Sequence, residues 1–151
     1  MPTLKDQLRT DLTTAMKARD ETRTRTIRMA LTSISNEEVS GSAARDLTDE
    51  EVIKILAREA KRRREAAAAF ADAGRDDQAA AERAEEQVLA DYLPAQLNDD
   101  ELAAMVAAAI AETGASGPAG IGQVMKVITP RVAGRAEGSR VAALVRSQLG
   151  R

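Results

Sequence analysis

Leu4, Leu8, Leu12, Ala15 and Met16 recur at steps of three and four residues, the spacing that lines up one face of an α-helix. Thr3 stands where an N-cap belongs, and this first helix is expected to end near Arg19-Asp20. A second periodic stretch, from about Glu21 to Glu38, places Ile27, Leu31 and Ile34 inward, and Gly41-Ser42-Ala43 reads as the loop after it. Thr48-Asp49-Glu50-Glu51 is a capping box with acidic residues over a helix N-terminus, and Val52, Leu56 and Ala60 carry the stripe on to about Ala73. Gly74 supplies a left-handed end. A fourth helix runs from about Asp77 to Leu89, where Tyr92-Leu93-Pro94 stops it. Asn98-Asp99-Asp100-Glu101 then opens a fifth helix with Leu102, Met105, Val106 and Ile110 inward, closed by Gly114. Ser116-Gly117-Pro118 is placed to cap a sixth helix carrying Val124, Val127 and Ile128, with Pro130 near its end. Ser139 can start a seventh, carrying Val141, Leu144, Val145 and Leu149. No stretch shows the alternation of a strand. The pattern predicts an all-α chain, with an N-terminal four-helix domain over 1–93 and a C-terminal three-helix bundle over 94–151.

Composition agrees with this reading and narrows it. One Phe, one Tyr and no Trp leave the cores to aliphatic residues, and alanine, the best helix former, is abundant. With no cysteine there is no disulfide framework. The N-terminus enters a charged amphipathic pattern without an apolar leader, and the most apolar run, Ala103 to Ala111, is too short to span a bilayer. The expectation is a cytoplasmic protein with no membrane partner.

The net charge of −2 argues against indiscriminate nucleic-acid binding over the whole surface, yet the charge is unevenly spread. Residues 65–94 sum to −6 and 95–125 to −4, whereas 126–151 reach +5. Histidine is absent along with cysteine, which removes the commonest proton-transfer and nucleophilic groups. A cysteine-type glutaminase, a zinc site built on His or Cys and a Ser-His-Asp triad are excluded, and no Gly-rich loop of the nucleotide-cradling type is present. No catalytic residue, metal site or cofactor is expected. Glu82, Glu85, Glu86 and Asp91 share one predicted helix. Their simplest reading is an acidic face paired with Arg62, Arg63 and Arg64 of the neighbouring helix rather than a cation site. Arg58, Lys61, Arg62 and Arg64 are still numerous enough to form a secondary basic patch for phosphate.

The stronger basic set is C-terminal: Lys126, Arg131, Arg135, Arg140, Arg146 and Arg151, offset only by Glu137. Gly134 and Gly138 flank Arg135, so the backbone there can approach a ligand closely, and the start of the last helix adds partial positive charge. Taken alone, these residues fit a phosphate-binding turn or an ordinary capped turn equally well.

The stretch from Gly122 to Val141 resembles the C-terminal part of the GatB/YqeY family, through Gly122, Val124, Met125, Pro130, Gly134, Arg135, Ala136 and Gly138. The resemblance extends to Lys17-Ala18-Arg19-Asp20, Thr26-Ile27-Arg28-Met29, Arg63-Arg64-Glu65, Phe70, Ala73-Gly74-Arg75, Tyr92-Leu93-Pro94 and Gln96-Leu97, so it covers nearly the whole chain. The large catalytic portion of a GatB subunit is absent ahead of this region, and a free-standing YqeY-like protein is expected. In GatB the similar tail helps to hold tRNA for glutamine-dependent conversion of misacylated tRNA, and the label of carbon–nitrogen ligase with glutamine as amido donor follows the family through that association. Where the family commonly has Asp before the last glycine this chain has Glu137, a poorer cap, and capping is expected to pass to Ser139. The resemblance implies a non-catalytic accessory protein that binds tRNA or a tRNA-enzyme complex through Lys126, Arg131, Gly134, Arg135, Gly138 and Arg140. Two alternatives stand beside it. One is a protein-interaction module docking an amidotransferase subunit or other aminoacyl-tRNA machinery; the other is an amidotransferase acting alone.

Overall fold

The computed structural model describes residues 2–150, which form seven α-helices and one 3-10 turn and contain no strand. Contacts group the helices into two compact units, Met1–Leu93 and Pro94–Arg151. The first holds α1 (Leu4–Lys17), α2 (Glu21–Glu38), α3 (Asp49–Asp72) and α4 (Asp76–Ala90). The second holds α5 (Asp99–Thr113), α6 (Ile121–Val132) and α7 (Gly138–Leu149).

Helix starts follow the capping chemistry in the sequence. Thr3 Oγ1 accepts from the Asp6 backbone N–H and Asp6 Oδ2 accepts from that of Thr3, each at 3.1 Å. Thr48 and Glu51 repeat the reciprocal pair at 3.2 Å, Asp20 Oδ1 accepts from Arg23 N and Asn98 Oδ1 from Glu101 N. Each cap satisfies a donor that a helix start leaves orphaned. Gly74 and Gly114 close α3 and α5 with positive φ, as expected of C-terminal glycines. Gly120, the last residue of the 3-10 turn Pro118–Gly120 that leads into α6, is required for space, since an added Cβ would lie 2.7 Å from that of Ala115.

In the first unit α1 packs along α2 and α3 along α4. Leu8, Ile27, Ile34, Val52, Ile55, Leu56 and Leu89 make the core, with Leu4, Leu12 and Leu31 partly buried at its edge. Met16, expected inward, is instead 50% exposed. Ala15, in the same turn, is buried, so the inward face is covered to the end of α1; Met16, one residue further round the helix, falls outside that face. Its sulfur accepts from the Arg28 guanidinium at 3.6 Å. The helical stripe of α3 also buries two charged residues, Glu59 and Arg63. Arg63 Nη1 donates to Glu59 Oε2 at 2.6 Å and Ser33 Oγ to Glu59 Oε1 at 3.1 Å. Arg63 Nε faces Glu85 Oε2 at 3.5 Å but has no hydrogen-bond partner.

Tyr92, just past α4, is a second polar anchor. Its hydroxyl donates to Asp11 Oδ2 at 2.5 Å and accepts from Arg23 Nη2 at 3.4 Å, while the Arg23 guanidinium lies 6.0 Å from the ring centroid. Burial first, and then the bond to Asp11, push the phenol well above its ordinary range. A raised folded-state pKa means that the neutral ring stabilises the fold fully below the unfolded value of about 10, and that this contribution is lost as pH rises beyond it. The chain has one Tyr and no Trp, so phenolate absorbance in the near ultraviolet reports this group alone. Alkaline titration should show no phenolate at the usual tyrosine midpoint and a late rise that coincides with unfolding, and Tyr92→Phe should remove about 1 kcal/mol of stability at neutral pH. Phenolate appearing at the ordinary midpoint while far-ultraviolet ellipticity is intact would contradict the buried bond to Asp11.

The second unit buries Leu97, Leu102, Val106, Ala109, Val124, Ile128, Val132, Val141, Val145 and Leu149, with Met105, Ile110, Val127 and Leu144 against them. Pro130 sits inside the last turn of α6. Helix α7 begins at Gly138, one residue earlier than Ser139 predicts. Glu137 occupies the N-cap position in extended conformation and makes no side-chain cap bond, so capping has not passed to Ser139. Glutamate is one methylene too long to fold back on the first turn as aspartate does.

Candidate nucleic-acid interface

The turn Ala133-Gly134-Arg135-Ala136-Glu137 links α6 to α7 and is stitched to the strip that precedes α5. Gly134 adopts φ of 75°, a conformation open to glycine at no steric cost. Its carbonyl accepts from Gln96 Nε2 at 2.8 Å, and the next carbonyl, that of Arg135, accepts from Leu97 N at 2.9 Å. The Arg135 side chain donates from Nε to Ala95 O at 3.1 Å, and Arg140 donates from Nη1 to Leu97 O at 3.1 Å and from Nη2 to Asp99 Oδ1 at 2.6 Å. Residues 95–99 thus hold Arg135 and Arg140 together on one side of the unit.

Arg131 goes elsewhere. Its Nη2 pairs with Glu112 Oε2 at 2.5 Å, near the far end of α5 from Asp99. At the helical rise, Asp99 and Glu112 are separated by roughly 20 Å. Of the predicted C-terminal set, Arg135 and Arg140 are therefore brought together and Arg131 is separated from them. Lys126 and Arg146 are exposed on α6 and α7 and make no ion pair among the described residues, and Arg151 lies outside those residues. Gly122 and Gly138 have φ outside the left-handed range, and an added Cβ at either would meet nothing. Neither the backbone nor the packing requires glycine at these two places.

The other basic set is mostly engaged within its own unit. Arg62 Nη1 donates to Glu59 Oε1 at 3.3 Å, Arg64 Nε to Glu86 Oε1 at 2.9 Å, and Lys61 lies 4.0 Å from Glu65. Arg58 makes no ion pair among the described residues and, with Lys54, lines an open cleft of about 330 Å³ beside the Arg45–Glu51 pair. The acidic face of α4 is paired with the neighbouring helix only in part: Arg63 meets Glu85 at 3.5 Å and Arg64 meets Glu86, but Arg62 turns to Glu59. Helix α2 supplies Arg25 to Glu85 at 2.9 Å and Arg23 to Asp91 at 3.8 Å, and Glu82 makes no ion pair among the described residues. Among the described residues no three carboxylates converge to hold a cation, and no helix is long and apolar enough to cross a membrane.

The second unit presents fixed guanidinium groups and two exposed glycines, and the chain contains neither imidazole nor thiol. Residues 5–149 match the family described as Yqey-like protein, and the chain belongs to that family. No curated protein matches it.

Proposed function

We propose that this YqeY-like chain is a non-catalytic accessory protein of glutamine-dependent tRNA amidation, binding tRNA or a tRNA-bound amidotransferase through its C-terminal unit. The observation that carries this reading is the Gly134–Arg140 segment, whose two arginines are fixed against residues 95–99. Fixed donors lose little freedom on binding, and phosphate contacts made by such groups set register and affinity. The carboxylates now paired with Arg140 and Arg131 are themselves exposed, Asp99 at 92% and Glu112 at 53%. Exposed pairs of this kind contribute about 0–1 kcal/mol, so exchanging a carboxylate for a phosphate oxygen costs little. Gly138, two residues before Arg140 and exposed, leaves the surface there low enough for a polynucleotide backbone to approach. The family's relation to GatB supplies the amidotransferase context.

The test is titration of fluorescent bulk tRNA with the wild-type protein and with a variant carrying Arg131→Gln, Arg135→Gln and Arg140→Gln, at two salt concentrations. Glutamine at 135 sets its Nε2 where the Arg135 Nε stands and keeps a donor for the Ala95 carbonyl, whereas glutamine at 140 is too short for Leu97 and Asp99. Far-ultraviolet ellipticity therefore accompanies the titration to check that the variant is folded. If the C-terminal set neutralises about three phosphates, it should contribute roughly −2 to −3 to the slope of log K against log salt, and the triple variant should lose that share. The variant should bind at least about tenfold more weakly, a loss of about 1.4 kcal/mol. Absence of binding by wild type at low salt refutes the reading, as does a triple variant that binds as wild type does.

A further inference from the structure

The N-terminal unit carries a basic surface that none of the above explains. From Arg9 to Arg28 the chain has six cations against three carboxylates. Arg23 and Arg25 are paired with Asp91 and Glu85. Arg9, Lys17, Arg19 and Arg28 are exposed and make no ion pair among the described residues. Two of the three carboxylates in the same span are engaged: Asp11 accepts from Tyr92, and Asp20 caps α2.

These cations share one face of the α1–α2 hairpin. The contact of Arg28 Nη2 with Met16 sets that part of α2 beside the last turn of α1. Lys17 follows Met16, Arg19 forms the apex of the reversal, and Arg9 lies two helical turns before Met16 on the same side of α1. Arg19 is the only described non-glycine residue with positive φ. Glycine would take that conformation without strain.

Threonines surround these cations. Thr10, Thr13, Thr14 and Thr32 occupy exposed helical positions in α1 and α2, although threonine is a poor helix former. At exposed positions of α3 and α4 the same chain uses alanine, at Ala68, Ala69, Ala80 and Ala81. The residues of the hairpin face are therefore not chosen for helix stability. The hydroxyls of Thr13, Thr14 and Thr32 donate to the Arg9, Thr10 and Arg28 carbonyls, so phosphate contact on this face falls to the guanidinium and ammonium groups. With one Phe and one Tyr in the chain, and Tyr92 partly buried, base stacking is not available to this face.

We infer that the outward face of the α1–α2 hairpin is a second RNA-binding surface, in which Arg9, Lys17, Arg19 and Arg28 contact the phosphate backbone without reading sequence. The inference rests on the tRNA-binding reading of the C-terminal unit. A full-length variant with all four residues changed to Gln loses no ion pair and should fold as wild type does, which far-ultraviolet ellipticity checks. It should bind bulk tRNA at least about tenfold more weakly at low salt, with a salt slope shallower by roughly 2 to 3. In the wild type, tRNA should protect Lys17 from amine acetylation. A hairpin variant that binds within about twofold of wild type, or Lys17 acetylated equally fast with tRNA present, overturns the inference. If the C-terminal triple variant alone fails to bind, the C-terminal reading survives without the hairpin. Wild-type protein that ignores tRNA but binds polyglutamate would assign the face to an acidic protein and overturn both readings.

Discussion

Changing Glu59 to alanine should destabilise the N-terminal unit by about 3–5 kcal/mol, because it strands a buried guanidinium. Arg63 is 7% exposed at its side chain, and its shortest contact is the 2.6 Å bond to Glu59 Oε2. Its other partners are weak: the Glu59 backbone carbonyl at 3.2 Å and the Met29 sulfur at 3.6 Å. Nε is already without a hydrogen bond, with Glu85 Oε2 at 3.5 Å. Removing Glu59 also takes the acceptor from Ser33, so two groups in one shielded region lose their partners at once. A charge buried with an incomplete set of partners costs far more to isolate than the pair contributes when intact. The double variant Glu59→Leu with Arg63→Met should therefore recover most of the loss, since neither residue then carries a charge to bury. Urea unfolding of the three proteins checks this. A single-variant loss below about 1 kcal/mol would mean that Arg63 escapes to water and that the network is not a buried one.

That network also marks where the sequence was harder to read. Val52, Leu56 and Ala60 announce the buried stripe of α3, and Glu59, Arg63 and Ala67 continue it at the same helical period. The signal lay in the spacing. It is hidden because charged residues on a helix are usually solvated, and only the partners on α2 and α4 reveal that these two are not. The caps at Thr3, Thr48 and Asn98 and the helix end at Gly114 were legible because each depends on a few neighbouring residues. Met16 was misplaced inward because periodicity marks the middle of a face better than its rim: Ala15 in the same turn is buried and Met16, next to it, falls outside the contact. For the candidate interface, sequence showed the charge of the C-terminal set but not its division. Whether Arg131 turns to Glu112 or joins Arg135 and Arg140 is decided by side chains from α5, which lies some twenty to forty residues earlier in the chain. The unpaired cations of the hairpin were equally hidden, since sequence counts charges and only the fold pairs them.

Truncating Ile128 to alanine should unfold the C-terminal unit in most molecules at ambient temperature. The unit spans fewer than sixty residues, and its core is made of Leu, Val, Ile and Ala without one aromatic side chain. A core of that size supplies no more than about 3–5 kcal/mol of net stability. Ile128 is fully buried in the middle of α6, and removing its three distal carbons costs about 2–5 kcal/mol through lost burial and the cavity left behind. The two quantities are equal in size, which is why one side chain decides the state of the unit. Ile128→Val, at about 0.5–1.5 kcal/mol, should leave it folded. Amide hydrogen exchange separates the outcomes: in Ile128→Ala, protection should collapse across α5, α6 and α7 while the buried turns of α2 and α3 keep theirs. The hydrogen bonds that fix Arg135 and Arg140 to residues 95–99 disappear with the fold, so any tRNA affinity that depends on them should fall in the same variant and survive in Ile128→Val. Equal loss of protection in both units would mean that they unfold as one cooperative block, and unchanged protection in α5–α7 would mean that the unit holds more stability than its core can provide.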